Sequence, residues 1–182
     1  DLRAAGIDVI NLSVGEPDFP TPENIRRAGK KAIDEGHTRY TPGSGTMDLK
    51  KAAAEKMARD NDLHFMTDEI LISCGGKHSL YNACQVLFQT GDEVIIFSPY
   101  WVSFPDFVAV TGAKPIIVKT DSSHQFEPDF DDLKAKITSS TRGIIINSPS
   151  NPTGGVWADD AVSQVLKLAR DADAWVFSDE CY

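Results

Sequence analysis

The chain has 182 residues, 41% of them apolar and 25% charged, with a formal net charge of −9. That length and balance fit a soluble globular domain with a real core, and the acidic surplus argues against a nucleic-acid or anionic-membrane surface. No apolar run is long enough to span a bilayer, and Asp1-Leu2-Arg3-Ala4-Ala5 shows no signal-peptide pattern.

Taken in order, residues 9–12 form a short apolar stretch readable as a strand, followed by a Gly15–Pro20 loop held by two prolines. Thr21 is a natural N-cap and Pro22 a natural first helical residue; Ile25, Ala28 and Ala32 repeat near helical spacing, and Gly36 is a stop. Thr46 caps a second expected helix through Arg59, with Leu49, Ala52, Ala53 and Met57 on one face. Residues 70–73 read as a strand that runs into Cys74-Gly75-Gly76-Lys77. A helix follows, with Leu80, Ala83, Cys84, Leu87 and Phe88 on one face. Strand, glycine turn and helix N-terminus together make an anion site, because free N–H groups and the helix dipole favour a phosphate.

Gly91-Asp92 is a turn before a strand at 93–97, and Ser98-Pro99-Tyr100-Trp101 stands at its end. Residues 115–118 are another strand, and 121–132 read as a polar surface connection containing His124. Residues 143–146 and 174–177 are further apolar runs, separated by a helix marked by Ala161, Val162, Val165, Leu166 and Ala169. Short apolar runs alternating with helices are the pattern of buried strands in an α/β sheet. The expected fold is therefore α/β, a three-layer sandwich with a mostly parallel sheet. Such sheets bind ligands at the carboxyl ends of their strands, where Asn151, Asp179 and Tyr182 would converge as a hydrogen-bonding set for one planar ligand. The cysteines, Cys74, Cys84 and Cys181, form no CxxC pair and read as free thiols of a reducing, cytoplasmic compartment, Cys84 being a core residue. The histidines have no metal-site spacing, and no metal is expected.

Seven segments in order, VGEPDF from Val14, TRYTP from Thr38, GGK from Gly75, GDEVI from Gly91, SPYW from Ser98, NSPSNPTG from Asn147 and SDECY from Ser178, cover nearly the whole chain. The set resembles the class I aminotransferases, fold-type I enzymes that use pyridoxal 5′-phosphate (PLP), and most of all their bacterial-type aspartate aminotransferase branch. The resemblance implies that Gly75, Gly76 and Lys77 cup the cofactor phosphate and that Trp101 stacks on its ring. It assigns Asn151 and Tyr182 to the phenolic oxygen and Asp179 to the pyridine nitrogen, with Asp179 and Tyr182 as catalytic groups. Gly15, Trp101 and Asn151 are implied at the substrate, and Tyr40 at the phosphate of a neighbouring subunit, hence a homodimer. Residues 1–21 then belong to a small domain and 22–182 to part of the large PLP-binding domain.

The implied activity is transamination between an amino acid, aspartate in the first instance, and a 2-oxo acid. The family's Schiff-base lysine and carboxylate-binding arginine lie beyond the segment matching Tyr182, so the chain reads as a fragment, clipped also at its start and inactive by itself. Competing readings are an aromatic or alanine aminotransferase, a C–S lyase of the same fold, or a non-catalytic module for dimerisation or ligand sensing.

Overall fold

A computed structural model describes residues 2–10, 15 and 17–182. Two compact units divide between Gly43 and Ser44. Among the described residues, the first carries one helix, α1 (Glu23–Asp34). Pro22 is extended, with ψ of 143°, and its carbonyl accepts the Arg26 N–H, so Pro22 and not Thr21 holds the N-cap position. Gly36, at φ of +79°, ends the helix as expected. Val9 and Ile10 are not in a strand; Asn11 and Leu12, the rest of that expected element, lie outside the described residues, as do Val14 and Glu16 of the VGEPDF segment.

The second unit is an α/β sandwich. Four strands, β1 (Glu93–Ser98), β2 (Lys114–Lys119), β3 (Thr141–Asn147) and β4 (Trp175–Asp179), form a wholly parallel sheet in the order β2-β1-β3-β4. Strand residues alternate between faces. Ile95, Phe97, Val118, Ile144 and Ile146 point one way, onto α5 (Phe130–Lys136) and α6 (Asp159–Asp171). Val94, Ile96 and Ile145 point the other way, onto α3 (Gly76–Leu87) and α4 (Ser103–Ala109). Both faces are thus covered by helices, which is why β1 and β3 read as unbroken apolar runs. Cys84 is fully buried on the α3 side, and burial raises its thiol to about 11.

Several expectations change. Residues 70–73 are not a strand: Ile72 N–H donates to Ser44 C=O, and no neighbouring strand among the described residues offers a ladder. Helix α2 (Met47–Asn61) runs past Arg59 to Asp62, whose left-handed conformation stops it. Thr46 occupies its N-cap position without a side-chain bond. Its covered side holds Lys50, with Nζ 3.4 Å from Ser44 Oγ, while Leu49 and Met57 are exposed. The expected apolar face is therefore not the packed one. Helix α4 was not expected, although Phe104, Phe107 and Val108 are all buried at helical spacing. The 121–132 connection leads into α5, whose N-cap Asp129 accepts from the N–H groups of Asp131 and Asp132.

Edge strand β2 is tied to α5 on its outer side. Lys136 Nζ donates to Ile117 C=O at 2.6 Å and to Asp132 Oδ2 at 2.6 Å, and Asp132 accepts Lys119 N–H at 3.1 Å. The lysine bond first, then the backbone bond, holds the Asp132 carboxyl below the usual value. A depressed folded value adds stability above the ordinary Asp value of about 3.9, lost as pH falls through the folded value. Lys136→Met is expected to lower unfolding free energy by about 1–2 kcal/mol. Urea titrations at neutral pH and near pH 3 should show the gap shrinking in acid.

Candidate functional site

The carboxyl ends of β1, β3 and β4 and the N-terminus of α3 surround one open cleft of ≈ 280 Å³. Its lining includes Gly76, Lys77, Trp101, Asn147, Asn151, Asp179 and Tyr182. Because the sheet is wholly parallel, its crossovers bring these distant segments to the same sheet end.

On one side, Gly75 at φ of +85° turns the chain into α3, a conformation that L side chains rarely adopt. A Cβ on Gly75 or Gly76 would meet nothing within 4 Å, so the turn leaves open space above the helix end. The first N–H groups of a helix have no partner within it, and Lys77 adds a cation there. Trp101 follows β1. Its ring meets Phe104 and Phe107 edge-on at 5.5 and 5.9 Å, and Lys77 Nζ stands 5.1 Å from its centroid. Trp101 thus serves both the core and the cleft, a flat wall braced from behind.

The opposite side comes from β3 and β4. Asn151 Nδ2 donates to the Tyr182 hydroxyl at 3.3 Å. Asp179 ends β4, and its half-buried carboxyl is pushed above the ordinary value by loss of solvation, opposed in part by the Cys181 N–H. A carboxylate so placed gains from a cation brought beside it. Behind both residues stands Asn147, whose amide Nδ2 donates to Asp179 C=O at 3.0 Å and Pro149 C=O at 3.3 Å, while Oδ1 accepts Asn151 N–H at 2.7 Å.

Six expected site residues, Gly76, Lys77, Trp101, Asn151, Asp179 and Tyr182, therefore line one cleft, with Gly75 at its helix cap. Gly15 and Tyr40 belong to the first compact unit, where both are exposed. Asn147 was not singled out from sequence. It stands first in the NSPSNPTG segment, but nothing local says that its amide reaches Asp179, 32 residues on. Among the described residues no group of three His, Cys, Asp or Glu side chains could hold a metal ion.

The cleft offers an anion cup, an aromatic wall, a phenol–amide pair and a carboxylate, a set suited to a flat heteroaromatic ligand with an anionic tail. Comparison with known proteins points the same way. The family described as "Aminotransferase class I and II" matches residues 7–182. An aspartate aminotransferase of Bacillus sp. (strain YM-2) is 43% identical over all 182 residues, which cover 46% of that protein. The solved aspartate aminotransferase of Thermus thermophilus with maleate matches at a TM-score of 0.95 and 40% identity, over 100% of this chain and 47% of its own. An alanine aminotransferase from Pyrococcus furiosus matches at 0.95 and 33%, again over 100% of this chain and 47% of its own. The chain spans about half the length of the curated relatives it matches. With sequence and fold agreeing from residue 7 to residue 182, the chain belongs to the class I and II aminotransferase family.

Proposed function

We propose that this chain binds pyridoxal 5′-phosphate and that the whole protein, a cytoplasmic homodimer, transaminates an amino acid, aspartate first, against a 2-oxo acid. In this reading residues 1–21 contribute to a small domain and 22–182 to the large cofactor-binding domain. The observation that carries it is the donor set around one cleft: α3 N-terminus with Lys77, Trp101, the Asn151–Tyr182 pair and the Asp179 carboxyl.

Each part has a match in the ligand. The α3 N-terminus, opened by Gly75 and Gly76, and the Lys77 ammonium suit a phosphate dianion. Trp101 suits the ring face and helps exclude water. Asn151 and Tyr182 suit the ring oxygen. Asp179 suits a protonated ring nitrogen, whose positive charge would draw the carboxyl back down from its raised value. When bound, the cofactor supplies an electron sink for the α-carbon of an amino acid. The chain's residues hold the ring flat, keep its nitrogen protonated and fix its oxygen. Gly15 is assigned to the substrate α-carboxylate, Trp101 and Asn151 also to the substrate, and Tyr40 to the phosphate of the partner subunit. Aspartate as substrate rests on the named activity of the relatives; the likeness to an alanine aminotransferase makes alanine the second candidate.

Titrating the 182-residue chain with PLP, followed by borohydride reduction and peptide mass mapping, tests the reading. Saturable binding with no single-lysine adduct is expected. Absence of saturable binding overturns the cofactor assignment, and a stoichiometric adduct on one lysine overturns the assigned roles.

A further inference from the structure

We infer that Asn147 is a positioning residue that sets Asn151 and Asp179, both on the β3–β4 side of the cleft, at a fixed separation, an inference that rests on the cofactor reading for its consequence. The ladder between β3 and β4 ends at the pair Asn147–Asp179. Beyond it the strands part, and their backbone groups need other partners. One planar amide supplies them on both sides. Nδ2 takes the carbonyls of Asp179 and Pro149, and Oδ1 takes the Asn151 N–H at 2.7 Å.

The amide's orientation follows from this network. Flipped, its oxygen would face two carbonyls and its NH2 group an N–H. Three of its hydrogen-bonding places are filled, and the residue is half-buried. Asn151 in turn donates to Tyr182, and the Asp179 side chain faces the same cleft. The amide therefore couples the residue meant for a ring oxygen to the residue meant for a ring nitrogen. One rigid ring would fix the distance between these two atoms, so the spacing of Asn151 and Asp179 would decide whether both can be met together.

The test compares Asn147→Ala with Asn147→Asp in the 182-residue chain. The Asp variant keeps the acceptor toward Asn151 but turns an oxygen toward the Asp179 and Pro149 carbonyls. Amide hydrogen exchange by NMR should show Asn151 exchanging about ten-fold faster or more in N147A, with β1 amides unchanged, and still protected in N147D. Both variants should bind PLP about ten-fold more weakly or worse, read by induced circular dichroism. The Asp179 carboxyl, followed by 13C NMR, should titrate higher in N147D than in N147A because a like charge is added nearby. Unchanged Asn151 exchange in N147A overturns the inference, as does wild-type PLP affinity in N147D. If the wild-type chain binds no PLP, the cofactor reading fails alone, and the exchange and carboxyl readouts still decide the positioning role. If N147A does not fold, N147D decides against the wild type: Asn151 still protected, PLP bound about ten-fold more weakly and the Asp179 carboxyl titrating higher support the role, and wild-type values for affinity and titration overturn it.

Discussion

Asp179→Asn is expected to weaken PLP binding by ten-fold or more while leaving the fold at neutral pH as stable as before, or more so. On the proposed cofactor reading, the loss follows from replacing a carboxylate by a neutral amide opposite a protonated ring nitrogen; charge-assisted bonds are worth about 1.5–3 kcal/mol. The stability side follows from the carboxyl's own position. Loss of solvation raises its folded value above the unfolded one, with the Cys181 N–H opposing. A raised carboxyl favours folding when protonated. That contribution is full below about pH 3.9 and is lost as pH rises through the folded value. At neutral pH the Asp179 anion therefore weighs against the fold, and asparagine relieves it. Urea titrations at neutral and acid pH, beside PLP titrations, check both halves. Equal PLP affinity, or a clear loss of stability at neutral pH, would refute the assignment.

Gly143→Ala is expected to lower unfolding free energy by about 1–3 kcal/mol. Strand propensity alone predicts a gain, since glycine weakens a strand interior. The reversal comes from packing. Gly143 is paired with Val94 in the register of β1 and β3. A Cβ there would stand 2.7 Å from Phe88 Cε1 and 3.3 Å from Val94 Cγ1. Phe88 cannot yield easily: it is buried at the end of α3, and its ring stacks on Phe177 of β4 at 5.4 Å. Shortening the ring should restore part of the loss, so Phe88→Leu and Gly143→Ala should couple in a double-mutant cycle by more than about 0.5 kcal/mol. Additive effects would mean that the Phe88 contact is not the cause.

The two substitutions mark different limits of sequence reading. The strand around Gly143 was legible, because four apolar residues in a row between polar flanks have few other uses. The reason for glycine was not, since Phe88 lies 55 residues earlier and meets it only where the end of α3 packs on the sheet. Likewise Asp179 and Asn151 were legible as polar groups at strand ends, where parallel sheets gather their ligands. Asn147 was not, because its partner Asp179 belongs to another strand. The segment 70–73 had the composition of a strand, but a strand also needs a neighbour. Leu49 and Met57 showed helical spacing, yet helix α2 turned its other side, with Lys50, inward.

By itself the sequence determined the four strands of the sheet, the two-sided burial of β1 and β3, and most of the segments that end at the cleft. These are local consequences of residue type and period, as burial on both faces writes a continuous apolar run and a helix end writes a glycine turn. Only the tertiary structure decided which helix face packs, where glycine is required and how one amide joins Asn151 to Asp179. Those depend on which atoms of distant segments come within a few ångströms, and periodicity along a chain carries no record of that distance.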